Sequence, residues 1–246
     1  MIKMKQSITL TGLLLLAAVS CSRQPDGGAG FIRFAVDSDD FVTEVTKSSV
    51  SDYATLPSAQ DFTLTLSDAS GNEIYNGLLK NYDSSTAVKV GSYTATASYG
   101  SSSVEGFDKP YFSGQSSFTV AQGTTSTVTI PASLANSMVK LAFTDTFTSY
   151  FTDYSFTITT GAGTKIAYAK GETRAVFMDA YAFSLSGTLT SQGGKTQTLA
   201  YSKKGLEAKK CYTIKFDASN VGNGTISISF DDTVEDVQLD EVDLND

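Results

Sequence analysis

Cys21 is the residue whose setting announces a defined chemistry. It follows Lys3 and Lys5, an apolar run through Leu13–Leu16, Ala17, Ala18 and Val19, and then Ser20. A cationic start, a short apolar stretch and small residues before a cut form a secretory signal. A cysteine directly after the small residue has the layout of a bacterial lipobox, in which Cys21 is lipidated and becomes the mature N-terminus. An ordinary secretory cut near Cys21, leaving a free thiol, is the alternative. Cys211 is the other cysteine, so lipidation of Cys21 leaves no intramolecular disulfide available. Cys211 lies in Lys210-Cys211-Tyr212-Thr213-Ile214-Lys215-Phe216, where Tyr212, Ile214 and Phe216 share one face and the thiol takes the other. It reads as a small half-buried side chain. Lys209 and Lys210 adjoin it in a strand, away from the helix N-terminus that would activate a nucleophile.

Other chemistry finds little to work with. The chain has no histidine, which removes Ser-His-Asp and Cys-His triads and the commonest metal ligand. Asp37, Asp39 and Asp40, or Asp231 and Asp232, are the carboxylates that a glycosidase or a calcium site could draw on. They lie in short polar runs at strand ends without regular ligand spacing, so turn and surface roles outweigh both readings. Gly27-Gly28-Ala29-Gly30 does not join a strand to a helix and is no phosphate cradle. Tryptophan is absent, which counts against the usual sugar platform, although tyrosine can substitute. We therefore expect no enzyme, no metal and no cofactor beyond a covalent lipid on Cys21.

The elements that must position these residues are strands. Phe31–Val36, Phe62–Leu66, Val88–Ala97, Phe118–Val120 and Thr125–Ile130 alternate apolar and polar residues, with Gly, Asn, Asp and Ser between them. Beyond Ser133 come Val139–Phe143, Tyr154–Ile158, Lys165–Tyr168, Ala175–Phe177, Tyr181–Leu189, Thr196–Tyr201, Cys211–Phe216 and Thr225–Phe230. Period-2 alternation rich in Val, Ile, Thr, Tyr and Phe marks half-buried strands, and a strand about every ten residues fits sandwiches of short antiparallel strands. Asp68-Ala69-Ser70-Gly71-Asn72 is a turn leading into a strand through Ile74 and Tyr75. Ser133–Ser137 and Asp145–Phe151 are the two stretches suited to a helical turn.

The expected division is a signal peptide at 1–20, the lipidated cysteine and a tether at 21–30, an N-terminal β-sandwich at 31–135 and a C-terminal β-sandwich at 136–246. One long closed barrel is the alternative. The net charge is −8; residues 22–135, 136–230 and 231–246 carry −6, +4 and −8. An acidic surface repels phosphate, so nucleic acid is not an expected partner. The lysines at 195, 203, 204, 209, 210 and 215 read as guards of a strand edge. In the acidic tail Val237 and Leu239, then Val242 and Leu244, alternate as in a last strand with one buried face; a disordered acidic end competes. Lys109-Pro110 forces extended backbone, and Tyr111 and Phe112 then point to opposite faces of a crossover between sheets.

Several phrases taken in order resemble a family of lipoproteins from Bacteroidota, domain of unknown function 4493. They are Gly91-Ser92-Tyr93-Thr94-Ala95-Thr96-Ala97, Gly106-Phe107-Asp108-Lys109-Pro110-Tyr111-Phe112-Ser113-Gly114, Phe118-Thr119-Val120 and Leu134-Ala135-Asn136-Ser137. The wider resemblance is to fimbrillin-like lipoproteins with two transthyretin-like sandwiches. It implies a structural or adhesive surface protein that binds through loops or a sheet edge. It also permits strand-exchange self-association after a cut, for which Arg33 and Lys47 are the basic residues at hand. The expected location is the outer membrane, lipid-anchored and facing the cell surface, with the periplasmic face as the alternative. A glycan-capture lipoprotein is the competing function. Tyr99, Phe107, Tyr111 and Phe112 are its candidate binding residues, and the same rings could instead meet a protein partner.

Overall fold

The computed structural model of this chain describes residues 27–39, 48–218, 225–230 and 233–238. Cys21, Asp40, Lys47, Asp231, Asp232, Leu239, Val242 and Leu244 lie outside the described residues. The first half supplies β1 (Ala29–Asp39), β2 (Thr63–Asp68), β3 (Glu73–Leu78), β4 (Val88–Lys89), β5 (Gly91–Tyr99), β6 (Gly106–Phe107), β7 (Phe112–Val120) and β8 (Thr125–Leu134). The second supplies β9 (Ser137–Phe143), helix α1 (Asp145–Tyr150), β10 (Phe151–Thr160), β11 (Lys165–Ala169), β12 (Val176–Met178), β13 (Ala182–Ser191), β14 (Thr196–Lys204), β15 (Cys211–Asp217), β16 (Thr225–Phe230) and β17 (Thr233–Gln238). The architecture is all-β.

Alternation settles most of these strands. Along β5, Tyr93, Ala95 and Ala97 are buried while Ser92, Thr94 and Thr96 face outward; β2 does the same with Leu64 and Leu66 against Thr63 and Thr65. The turn between β2 and β3 is built by its own side chains. The Asp68 carboxylate accepts from Ser70 N (2.8 Å), Asn72 N (2.9 Å) and Asn72 Nδ2 (2.9 Å), and Gly71 takes φ +82°, a conformation glycine adopts without steric cost. Those hydrogen bonds hold the Asp68 carboxyl below its ordinary value, with the Asn72 side chain first among them.

Three sheets result. The first has the order β3-β2-β5-β7-β8-β1-β4, the second β11-β10-β13-β14, and the third β17-β16-β15-β9-β12-β6. Antiparallel pairs dominate, but two pairs are parallel: β1 with β8, from Phe31↔Thr125 to Asp39↔Ser133, and β15 with β9. The first sheet curls on itself. Tyr82, ahead of β4, meets Phe34 of β1 at 4.9 Å and Tyr75 of the edge strand β3 at 5.1 Å, both edge-to-face.

One core fills the space between the second and third sheets. Phe143 stacks on Phe216 (5.5 Å) and on Phe156 (5.6 Å), and Phe156 meets Phe216 at 4.8 Å. The other core lies inside the curled first sheet and is closed by Met138, Phe177 and Cys211 of the third. The third sheet thus has apolar residues on both faces, and Cys211 sits opposite Tyr212, Ile214 and Phe216 as its alternating pattern requires. The thiol is 3% exposed, deeper than the half-buried position expected for it.

Two local expectations meet different outcomes. Asp145–Tyr150 is helical: the Thr144 hydroxyl accepts from Phe147 N (3.2 Å) and donates to Asp217 Oδ1 (2.6 Å). Ser133–Ser137 is not. β8 runs to Leu134 and β9 begins at Ser137, because the Ala135-Asn136 link is drawn taut by neighbouring backbone: Ala135 N donates to Tyr111 O and Lys209 N to Asn136 O, both at 2.8 Å. In the tail, residues 233–238 form β17, paired with β16 from Thr225↔Gln238 to Phe230↔Thr233.

Two outcomes are expected in solution. Phe216→Ala removes a fully buried ring from the aromatic stack and should cost about 3–5 kcal/mol in urea unfolding. Deleting 233–246 strips a paired strand from the third sheet and should lower the melting temperature; an unchanged value would mean that β17 adds nothing to the fold.

Candidate functional site

The excursion from β5 to β7 carries the aromatic residues singled out in the sequence. It leaves the first sheet at Tyr99 and turns at Gly100, φ +79°. A Cβ at that position would stand 2.3 Å from Pro110 O, so glycine is required for the loop to close on itself. The segment lends β6 to the third sheet, where Val176↔Phe107 and Phe177↔Gly106 pair. It passes Asp108 at φ +56°, in the left-handed region that aspartate tolerates better than most residues.

Polar contacts pin this segment to the second half of the chain. Glu105 Oε1 accepts from Asp179 N at 3.0 Å, and Glu105 Oε2 accepts from the Thr160 hydroxyl. The Arg174 guanidinium donates to Asp108 Oδ2 (2.8 Å) and forks onto Glu172 through Nε to Oε1 (3.1 Å) and Nη2 to Oε2 (2.8 Å). It also lies 4.6 Å over the Phe107 ring, a cation–π arrangement. The hydrogen bonds from Arg174 pull the Glu172 carboxyl down to about 2 and push the guanidinium higher still. Beneath Phe107, at 5.7 Å, is the fully buried Tyr168. Its hydroxyl accepts from Leu141 N (3.3 Å) and donates to Arg174 O (3.0 Å), and burial pushes it up to about 12.

The four candidate rings do not form one row. Phe112 is 0% exposed, packed on Phe62 at 6.3 Å; a ring with no accessible face cannot stack on a sugar, so its assignment as a binding residue is corrected to a core one. Tyr99 is half-buried against the same Phe62 at 5.8 Å. Phe107 is half-buried in the other core, between Tyr168 and Arg174. Tyr111 is half-buried, with its amide N–H donating to Asn136 Oδ1. The crossover role read from Lys109-Pro110 describes what this segment does.

Other features went unread in the sequence. Glu105 and Arg174 are ordinary charged residues there, and nothing in their neighbours signals that they meet Asp179, Thr160 and Asp108. Among the described residues Tyr181, 65% exposed, is the most accessible of the large apolar side chains. A shallow groove of about 310 Å³ lies where the hydroxyls of Ser92, Thr94, Ser117 and Thr119 border Tyr93 and Phe118. Thr94 Oγ1 and Ser117 Oγ are 3.3 Å apart there, and the two rings stack at 6.0 Å. Among the described residues no cluster of His, Cys, Asp or Glu could hold a metal ion, and no described helix is long and apolar enough to cross a membrane. Asp37 is exposed on β1.

These features define a multi-sheet β-sandwich protein in which Glu105, Asp108 and Arg174 join the β5–β7 excursion to the second half of the chain. The chain belongs to the family described as domain of unknown function DUF4493, whose model matches residues 28–244. Among solved structures it is similar to a protein provisionally described as a cell adhesion protein from Bacteroides eggerthii DSM 20697, at 12% identity and TM-score 0.44, covering 87% of this chain and 96% of that one. It is also similar to a fimbrial assembly protein from Parabacteroides distasonis ATCC 8503 (11% identity, TM-score 0.45, 87% and 98% coverage). A third is provisionally described as polysaccharide binding, from Bacteroides thetaiotaomicron VPI-5482 (13% identity, TM-score 0.44, 86% and 98% coverage). A comparison with curated proteins found no match.

The Glu172 carboxyl has a pH signature. Because its folded value is depressed from 4.5 to about 2, its contribution to stability is present above pH 4.5 and lost as pH falls toward 2. Arg174→Ala should therefore flatten the acid limb of a stability-against-pH curve measured by urea unfolding. An acid limb identical to the wild type would show that the pair adds nothing.

Proposed function

We propose that this chain is a non-enzymatic surface lipoprotein with a structural or adhesive role, built as units 31–135 and 136–246 and anchored by lipid on Cys21. The observation that carries the reading is the Ser20-Cys21 junction after a signal segment, followed closely by a fold that is strand from Ala29 onward. Each acyl methylene buried in the bilayer contributes on the order of 0.8 kcal/mol, so a multiply acylated Cys21 would hold the first sheet at an outer-membrane surface. Binding would use loops or a sheet edge, where an incoming strand gains main-chain hydrogen bonds. The described edge strand β3, with Ile74 48% exposed, offers such an edge. Self-association by strand exchange would replace β1 beside β8; Arg33 is exposed on that strand, and Lys47 lies beyond it.

A glycan-capture role is the second reading, favoured by the hydroxyl-bordered groove on Tyr93 and Phe118. Tyr99, Phe107 and Tyr111, the half-buried members of the original set, would be its further contacts. Neither reading involves nucleic acid or a cofactor.

Protease shaving of intact cells tests location, and Cys21→Ser tests the anchor. The proposal expects wild-type protein in the membrane fraction and its loss on shaving, with the variant released from the membrane. Full protection of wild type would move it to the periplasmic face and demote adhesion. Membrane retention of the variant would remove the lipid anchor.

A further inference from the structure

A protein held by its N-terminus and engaged elsewhere transmits any pull through whichever strands lie between anchor and load. Here the first such strand is β1. Its described partners are unequal: β4 pairs with it only at Ala29↔Lys89 and Gly30↔Val88, whereas β8 pairs with it along nine residues, Phe31↔Thr125 to Asp39↔Ser133. The β1–β8 pair is parallel. A pull from Cys21 draws β1 toward its own start, at Ala29. A load on the second half draws β8 toward its own end at Leu134, because the chain passes from there through Ala135-Asn136 into β9.

The two forces therefore act at opposite ends of one ladder and slide the strands past each other. In that geometry the hydrogen bonds share the load and must yield together; pulled from the same end, they would open one at a time. β8 is itself held on its other side by β7, through Phe112↔Leu134 and Ser113↔Ser133. The link beyond it is pinned to both halves, by Ala135 N to Tyr111 O and by Lys209 N to Asn136 O. On the apolar face of β1, Ile32 is fully buried and Phe34 and Val36 pack against the same core, so sliding must also drag these side chains across their neighbours.

We infer that the parallel β1–β8 ladder is a shear clamp that carries tension between the membrane anchor and the rest of the molecule. The direction of load rests on the surface-anchored reading above; the resistance of the ladder is a property of the fold.

Single-molecule pulling on the mature, unlipidated chain decides it. The Cys21 thiol serves as one handle, Cys211 being buried at 3% exposure. A second cysteine is added either at Ala200, exposed on β14, or at Gln122, exposed in the turn before β8. The Ala200 handle shears the ladder. The Gln122 handle peels it, since Gly123 N is bonded to Ala29 O at that same end. The rupture force should be severalfold higher with the Ala200 handle, and equal forces would overturn the clamp. Phe31 N donates to Thr124 O at 2.8 Å, and alternate residues of a strand turn their N–H to the same side, so Ala35 N–H also faces β8. Ala35→Pro removes that donor from a position with an exposed side chain and should lower the shear force while leaving the first peeling event unchanged. An equal fall in both would overturn the proposal; if the variant does not fold, the two-handle comparison on the unaltered ladder still decides. Direction-dependent force in a protein protected from shaving would sink the surface reading alone. Direction-independent force in a protein removed by shaving would sink the clamp alone.

Discussion

Burial on both faces of β12 and of the first residues of β9 and β15 is the constraint on which the rest of the molecule depends. Val139, Leu141, Tyr212, Ile214 and Phe216 close one core while Met138, Phe177 and Cys211 close the other, so neither core is complete without β9, β12 and β15. Strands covered on both sides read as continuous apolar runs, and Ala175-Val176-Phe177-Met178, buried at every position, is such a run. A surface sheet would not tolerate Phe177 and Val176 on opposite faces. Once these strands are in place, the curled first sheet and the second sheet have little freedom in where they pack.

The polar junction gives this packing its register. Glu105, Asp108 and Arg174 tie the loop around β6 to strands and turns far along the chain. The exposed part of this network contributes modestly to stability, as half-exposed ion pairs do. Its consequence is geometric: a guanidinium forked onto Glu172 and lying over Phe107 accepts one placement of the β6 strand and disfavours a slipped one, since a one-residue slip would turn Phe107 out of the core. Gly100 and Asp108 supply the backbone conformations that let the loop reach across at all.

Function follows from what these constraints leave outside. The outward positions of the first and second sheets are largely serine and threonine, such as Thr94, Thr96, Ser117 and Thr119 on one and Ser184, Ser186 and Thr188 on the other. The carboxylates at the junction are engaged by Arg174 or by backbone and hydroxyl donors. What the described fold leaves accessible is strand edge, hydroxyl-bordered groove and loop, the surfaces on which the proposed attachment rests.

The all-β class, most strands, the Asp68–Asn72 turn, the short helix after Thr144 and the opposed faces of Cys211 and Tyr212 were legible in the amino-acid sequence. Each is a local matter of period-2 alternation, turn chemistry or capping, settled by residues a few positions apart. The signal segment and lipobox expected at Cys21 rest on local motifs too, and lie outside the described residues. Only the tertiary structure decided that β1 runs parallel to β8, that β6 leaves its own half to join β12, and that Phe112 is core while Tyr99, Phe107 and Tyr111 are half-buried. The candidate rings were visible as aromatic residues, but their grouping was not. Alternation says which residues share a face; it does not say which strand lies alongside or what covers that face. Those choices are made by hydrogen bonds and apolar contacts between residues tens of positions apart, where β12 and the first residues of β9 and β15, buried on both faces, fix the outcome.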